Sequence, residues 1–243
     1  MSSNTDVQLI KNGKRLSGRK LEDLREIKIQ PGVLDNADGS CYLEWGNNKV
    51  IAAVYGPKEA MPRHTQNPLK AVMNYKYNMA PFSVEDRKRP GPDRRSTEIS
   101  KISGAALSKV VLLEKFPNMQ IDVFVDVLQA DAGTRCAALS AASVALADAG
   151  IPMTSLIACC AAGKIDNKVV VDLDKPEDNH GQADVPMAVI PRTEEIVLLQ
   201  MDGHLTADEF KTAMRMAIDG SKKVNEIQIQ ALKEKYQGEL NGD

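Results

Sequence analysis

The chain has 243 residues, 43% of them hydrophobic and 26% charged, with a formal net charge of −2. Such a length suits one large domain or two lobes sharing a core, and the composition excludes a disordered chain. Near-neutral charge argues against coating nucleic acid along its length, and no apolar run approaches the roughly 20 residues that span a bilayer.

Residues 1–6 are polar and lack the basic-then-apolar pattern of a signal peptide, so the expectation is a cytoplasmic protein without a membrane segment. The spans 27–34, 41–45 and 50–55 are short apolar or alternating runs separated by turn-like breaks, and they predict an antiparallel meander. Residues 71–79 alternate as a further strand. A charged loop follows over 81–93, where Pro90 and Pro92 exclude a regular helix. Apolar residues at helical period predict a helix over 94–114, stopped by Pro117. Residues 121–128 alternate again as a strand, and an alanine-rich helix is expected over 134–149, ending at Gly150 and Pro152.

Beyond it, 156–165 and 169–173 read as a hairpin around Asp166 and Asn167, followed by strands over 185–190 and 196–201. Thr206 and Glu209 form a capping box that opens a long helix, whose core face is Phe210, Ala213, Met214, Ala217, Val224, Ile227 and Ala231. This order predicts an α+β fold of two lobes, residues 1–150 and 151–243, rather than a doubly wound sheet. Cys41, Cys136, Cys159 and Cys160 have no metal-ligand spacing and read as reduced, buried thiols.

Three motifs have chemical potential. Arg94 and Arg95 stand at a helix start after a basic loop, and paired guanidinium forks suit a phosphodiester backbone; the ordinary alternative is a solvated charged loop. Gly133, Thr134 and Arg135 join a strand to a helix, and a helix start is an anion site; the alternative is a strand end and a cap. Glu177, Asp178 and Asp184 are acids at a hairpin end, suited to a metal or a shared proton, with His180 a lesser candidate. Taken together they supply arginines for a polyanion, a cradle for a phosphate and carboxylates for proton or metal work.

Several segments resemble the ribonuclease PH family: Gly18-Arg19-Lys20 with Leu24-Arg25, Tyr55-Gly56-Pro57, Pro92-Asp93-Arg94-Arg95, the string from Leu128 to Arg135, and Asp178 with Ala183-Asp184-Val185-Pro186-Met187. They occur in the family's order over nearly the whole chain, and the likeness is greatest to the phosphorolytic ring subunits of the archaeal exosome. The resemblance implies a two-lobed ribonuclease PH-like fold with mixed and antiparallel sheets packed on helices. It implies a phosphate-dependent 3′→5′ exoribonuclease that degrades RNA processively to nucleoside diphosphates and runs in reverse to add tails. It also implies a hexameric ring of three heterodimers with an inactive paralogue, and RNA-binding cap proteins. By position, Arg94 and Arg95 would hold RNA, as would Arg63 and His64 in a channel loop. Gly133, Thr134 and Arg135 would bind inorganic phosphate, the co-substrate. Asp178 and Asp184 would be catalytic and could hold Mg²⁺ or Mn²⁺. A same-family alternative is the bacterial-type homohexamer that trims transfer RNA 3′ ends.

Overall fold

A computed structural model of the chain describes residues 8–11 and 13–241; the polar start, residues 1–6, lies outside them. A short hairpin, β1 (Ile10–Lys11) and β2 (Lys14–Arg15), precedes β3 (Ile27–Pro31), β4 (Gly39–Trp45) and β5 (Asn48–Glu59), which pair antiparallel as the meander the alternation predicts. Next comes β6 (Val72–Met79). The helix α1 (Arg94–Leu107) then carries the chain across to β7 (Met119–Gln129), which lies parallel to β6 and antiparallel to β5. The five-stranded order is β3-β4-β5-β7-β6. Valines 123, 125 and 127 alternate onto the buried face of β7, while Asp126 and Phe124 face outward.

α1 ends earlier than its periodicity predicts. Ser108 caps it, and the chain passes through irregular turns, an isolated bridge from Val111 to Met153 and a 3-10 turn at Leu113–Lys115. Val110, Val111 and Leu113 are buried all the same. Irregular backbone has carried apolar side chains into the core at helix-like intervals, and the sequence pattern registers burial without registering backbone.

α2 (Thr134–Asp148) is buried on nearly every side and sits between the two sheets. A helix apolar all round is a core helix, and its alanines let strands approach closely. Gly39 shows how closely: a Cβ there would meet Ala149 N at 2.3 Å. The second sheet follows, with β8 (Ala158–Ile165) and β9 (Lys168–Val171) as the expected hairpin. A short helix absent from the sequence expectation, α3 (Lys175–His180), comes next. The strands β10 (Ala183–Ile190), β11 (Glu195–Leu199) and β12 (Asp202–Gly203) complete the sheet, in the order β11-β10-β8-β9 with β12 against β10.

α4 (Ala207–Asn241) closes the fold. Of its expected core face, Ala213, Ala217, Val224 and Ala231 are buried, joined by the polar Gln228, whose amide donates to Ser140 O and Ile157 O at 3.0 Å each. One continuous apolar cluster runs from the first sheet through α2 into β8, β10 and α4. All four cysteines are buried free thiols, and burial raises the pKa of each. Among the described residues, no helix is long and apolar enough to cross a membrane.

Candidate active site

A cleft of about 950 Å³ opens between the starts of α1 and α2 on one side and α3, β10 and β12 on the other. One wall is the start of α2. Gly133 is its N-cap at φ 68° and has no side chain to satisfy the first-turn N–H groups, so these remain available to an anion. Ala132 just before it is also left-handed, at φ 55°. A non-glycine residue held there costs about 1–2 kcal/mol, so the surrounding contacts enforce the shape of this turn.

Thr134 is buried, and its hydroxyl accepts a hydrogen bond from Tyr77 at 2.9 Å, which leaves its own proton free to donate. Burial keeps the Tyr77 phenol raised and protonated. Arg135 turns into the cleft, held by Gln200 and, at 3.8 Å, by Glu98. Gln200 also donates to Glu98 at 2.7 Å, so the two acceptors brace one another. Arg135 Nε is buried and unpartnered among the described residues. A buried guanidinium N–H without an acceptor costs free energy, and an anion oxygen would offset that cost.

The facing wall carries acids. The strand of Asp184 begins two residues earlier than the expected 185–190, so Asp184 lies within β10, directly opposite Asp202 of β12 in the antiparallel register. Like charges opposite one another across a ladder repel. Asp178 projects from α3 into the same cleft. Burial first, and Asp178 second, push the Asp184 carboxyl up to about 7, against the opposing pull of Arg135 and Arg95. The Asp178 carboxyl is also raised, by burial and by Asp202, with Arg95 opposing. Among the described residues no group of three His, Cys, Asp or Glu side chains is arranged to hold a metal ion. Two hard carboxylates under mutual repulsion still suit Mg²⁺ or Mn²⁺, ions bound through one or two carboxylates plus substrate oxygens and water.

The family models complete the picture. That of the 3′ exoribonuclease family, domain 1, matches residues 23–152, and that of domain 2 matches residues 155–220. The chain belongs to the 3′ exoribonuclease family. The resemblance to ribonuclease PH proteins therefore extends over nearly the whole chain. Exosome complex component Rrp41 of Thermococcus onnurineus is 60% identical over 237 residues, spanning 97% of this chain and 95% of that protein. The Methanopyrus kandleri component of the same name is 57% identical over 239 residues, spanning 98% and 100%. Among solved structures, rice Rrp46 superposes with a TM-score of 0.82 at 23% identity, covering 90% of this chain and all of that one. The Archaeoglobus fulgidus exosome with RNA bound to the active site gives 0.78 at 22%, covering 88% and 92%. At these identities the two structures establish the fold.

In this exoribonuclease-family chain the fold brings together Gly133, Thr134, Arg135, Arg95, Asp178 and Asp184. Arg94 is exposed at the first position of α1 and is not among the residues lining the cleft. Arg63 and His64 lie in an exposed 3-10 turn beside Glu59 and the start of β7, while the cradle follows the far end of that strand. The 11 residues of β7 put about 35 Å between the two ends, so the loop and the cradle are separate places on the molecule. Glu177 is not a cleft acid: it is fully buried and paired with Arg15, while its neighbour Asp178 points into the cleft.

Several cleft residues escaped the sequence reading. Glu98 had a signal, since it sits three residues after Arg95 on one helix and so shares its face. Gln200 and Asp202 had none, because only the pairing of β10 with β11 and β12 carries them to Asp184.

Proposed function

We propose that this chain is a phosphate-dependent 3′→5′ exoribonuclease that removes RNA 3′ ends as nucleoside diphosphates, adds RNA tails in reverse, and works processively as the catalytic component of an exosome ring. One observation carries the reading. A single cleft holds an unsatisfied anion cradle and, facing it, a carboxyl raised to about 7. Phosphorolysis needs those two groups on opposite sides of one phosphodiester bond.

Inorganic phosphate occupies the first-turn N–H groups of α2, the Thr134 hydroxyl and Arg135. There it is positioned in line with the last phosphodiester, and positioning and charge stabilisation dominate such transfers. Arg95 neutralises the adjacent RNA phosphate, and Arg94 meets the chain further out. The phosphate oxygen forms a bond to phosphorus as the bond to the 3′ oxygen breaks. Asp184, partly protonated at neutral pH, gives its proton to that leaving oxygen. Asp178 keeps the carboxyl raised by its charge. A Mg²⁺ or Mn²⁺ ion held by Asp178 and Asp184 would supply positive charge at the same oxygen.

The exosome reading rests on relatives near 60% identity over almost their full length that are exosome complex components. RNA as substrate is supported by the fold's likeness to an exosome with RNA in its active site. In such a ring the partners are an inactive paralogue and RNA-binding cap proteins, and Arg63 and His64 contact RNA upstream in the channel. The deciding assay incubates the chain, alone and with its partner subunit, with oligo(A) and phosphate. Nucleoside diphosphate released only when phosphate is present supports the proposal. Monophosphate release without phosphate refutes it. An active stable homohexamer without any partner would favour the transfer RNA-trimming alternative.

A further inference from the structure

Outside the cleft, the densest arrangement of charge lies beneath it. Asp172 follows β9 in a left-handed conformation, φ 53°, and is almost completely buried. Its carboxylate accepts hydrogen bonds from Arg25 N at 2.7 Å, Arg25 Nη2 at 2.6 Å and Trp45 Nε1 at 3.0 Å. Arg25 in turn reaches the turn before α2. Its Nη1 donates to Asp131 O, its Nη2 lies 3.5 Å from Ala132 O, and Nη1 pairs with Asp131 Oδ2 at 3.6 Å. A Cβ on Gly133 would come within 3.2 Å of Arg25 Nη2. Asp131 closes the circle, because its Oδ1 accepts from Lys175 N at 3.3 Å, in the first turn of the helix that carries Asp178.

The geometry points to Arg25 as a positioning residue that presets the phosphate cradle and ties it to the helix of Asp178. The inference rests on the phosphorolytic reading. Two consecutive left-handed residues, Ala132 and Gly133, aim the first N–H groups of α2, and the carbonyl oxygens of Asp131 and Ala132 leading into that turn take their donors from below. The planar guanidinium serves this need because one edge grips a buried carboxylate while the other spans two backbone oxygens. A lysine, a point charge on a flexible stem, keeps the ion pair with Asp172 and cannot hold both oxygens. Asn48 assists from the other flank, donating to Ala132 O at 2.6 Å and accepting from Asp131 N at 2.6 Å. With that support intact, loss of the Arg25 fork should loosen the cradle without unfolding it.

A residue that only stabilised the fold would reduce the number of active molecules, lowering kcat and leaving KM unchanged. A positioning residue for the phosphate shifts the KM for phosphate. The test measures diphosphate release from oligo(A) against phosphate concentration for wild type, Arg25→Lys and Arg25→Ala, with RNA affinity measured by anisotropy. Arg25→Lys should raise the phosphate KM at least about tenfold, since small misplacements of a binding group are costly. Its kcat at saturating phosphate should stay within about threefold, and RNA affinity should not change. Added guanidinium ion should lower the raised KM of Arg25→Ala.

Should the Arg25 variants fail to fold, Asp131→Ala removes the second tie at a half-buried position and must raise the phosphate KM in the same sense. An unchanged phosphate KM in every folded variant, or a fall in kcat alone, overturns the inference while wild-type activity stands. A wild-type protein that releases no diphosphate overturns the parent reading, and this inference with it.

Discussion

Replacing Asp184 with Asn should destroy turnover and stabilise the protein, with a gain that depends on pH. The carboxyl stands at about 7 in the folded chain against an ordinary 3.8, because burial and Asp178 oppose its charge. A raised carboxyl means the folded state holds its proton more tightly than the unfolded state does. Stability therefore falls as pH rises from about 4 to about 7 and is level above that. Taken at face value the difference is about 4 kcal/mol. The cleft is open to water, which screens the charge, so about 1–2 kcal/mol is a fairer expectation. For a chain of 243 residues the unfolding entropy is about 0.5 kcal/mol/K, so Asp184→Asn should raise Tm by ~2–4 °C at pH 8.

Below the ordinary carboxyl value of 3.8 the two proteins should melt together, since both then present a neutral group in the folded and in the unfolded chain. Calorimetry from below that value to pH 8 in EDTA checks this without a cation to neutralise the carboxylate. A Tm difference that is flat across that range would refute the claim that Asp184 carries an unfavourable charge, and with it the argument that Asp184 is a proton donor. If the donor role is right, wild-type kcat should also fall as pH rises through about 7, as the acid form disappears.

Three other outcomes are expected. Arg135→Ala should raise the KM for phosphate about a hundredfold while shifting RNA affinity little, because Arg135 lines the cleft beside Gly133 and Thr134 and its Nε is unpartnered among the described residues; titration of both ligands checks it. Arg95→Glu should weaken RNA binding more than Arg94→Glu does, since Arg95 lines the cleft; filter binding at physiological salt would contradict this if the order were reversed. Glu177→Gln should destabilise the fold by about 3–5 kcal/mol, because Arg15 would be left charged and buried; a urea midpoint unchanged from wild type would disprove that the pair is structural.

The order and type of most elements were legible in the sequence. Period-two alternation in β7 and helical spacing in α4 are local records of which face is buried, so they survive without knowledge of neighbours. The strand-to-helix junction at Gly133 and Thr134 was legible too, since a glycine followed by a threonine marks a strand end and a helix start. Where local pattern and backbone part company, the reading failed: α1 is shorter than its apolar period, since an irregular segment can bury Val110 and Leu113 equally well. α3 was missed because six residues are too few to display a period, although Asp174 and Glu177 form its capping box.

The sequence alone determined the α+β class, the family and the residue types on which the proposed chemistry draws. Tertiary structure decided which of them meet. It separated Arg63 and His64 from the cradle by the length of β7, turned Glu177 inward to Arg15 and left Asp178 facing the cleft. It set Asp202 opposite Asp184 and brought Arg25, more than a hundred residues distant in the chain, beneath Asp131. The reason is physical: strand register and helix packing fix distances between segments that share no local period, and a carboxyl acquires a raised pKa only from the neighbours that such packing gives it.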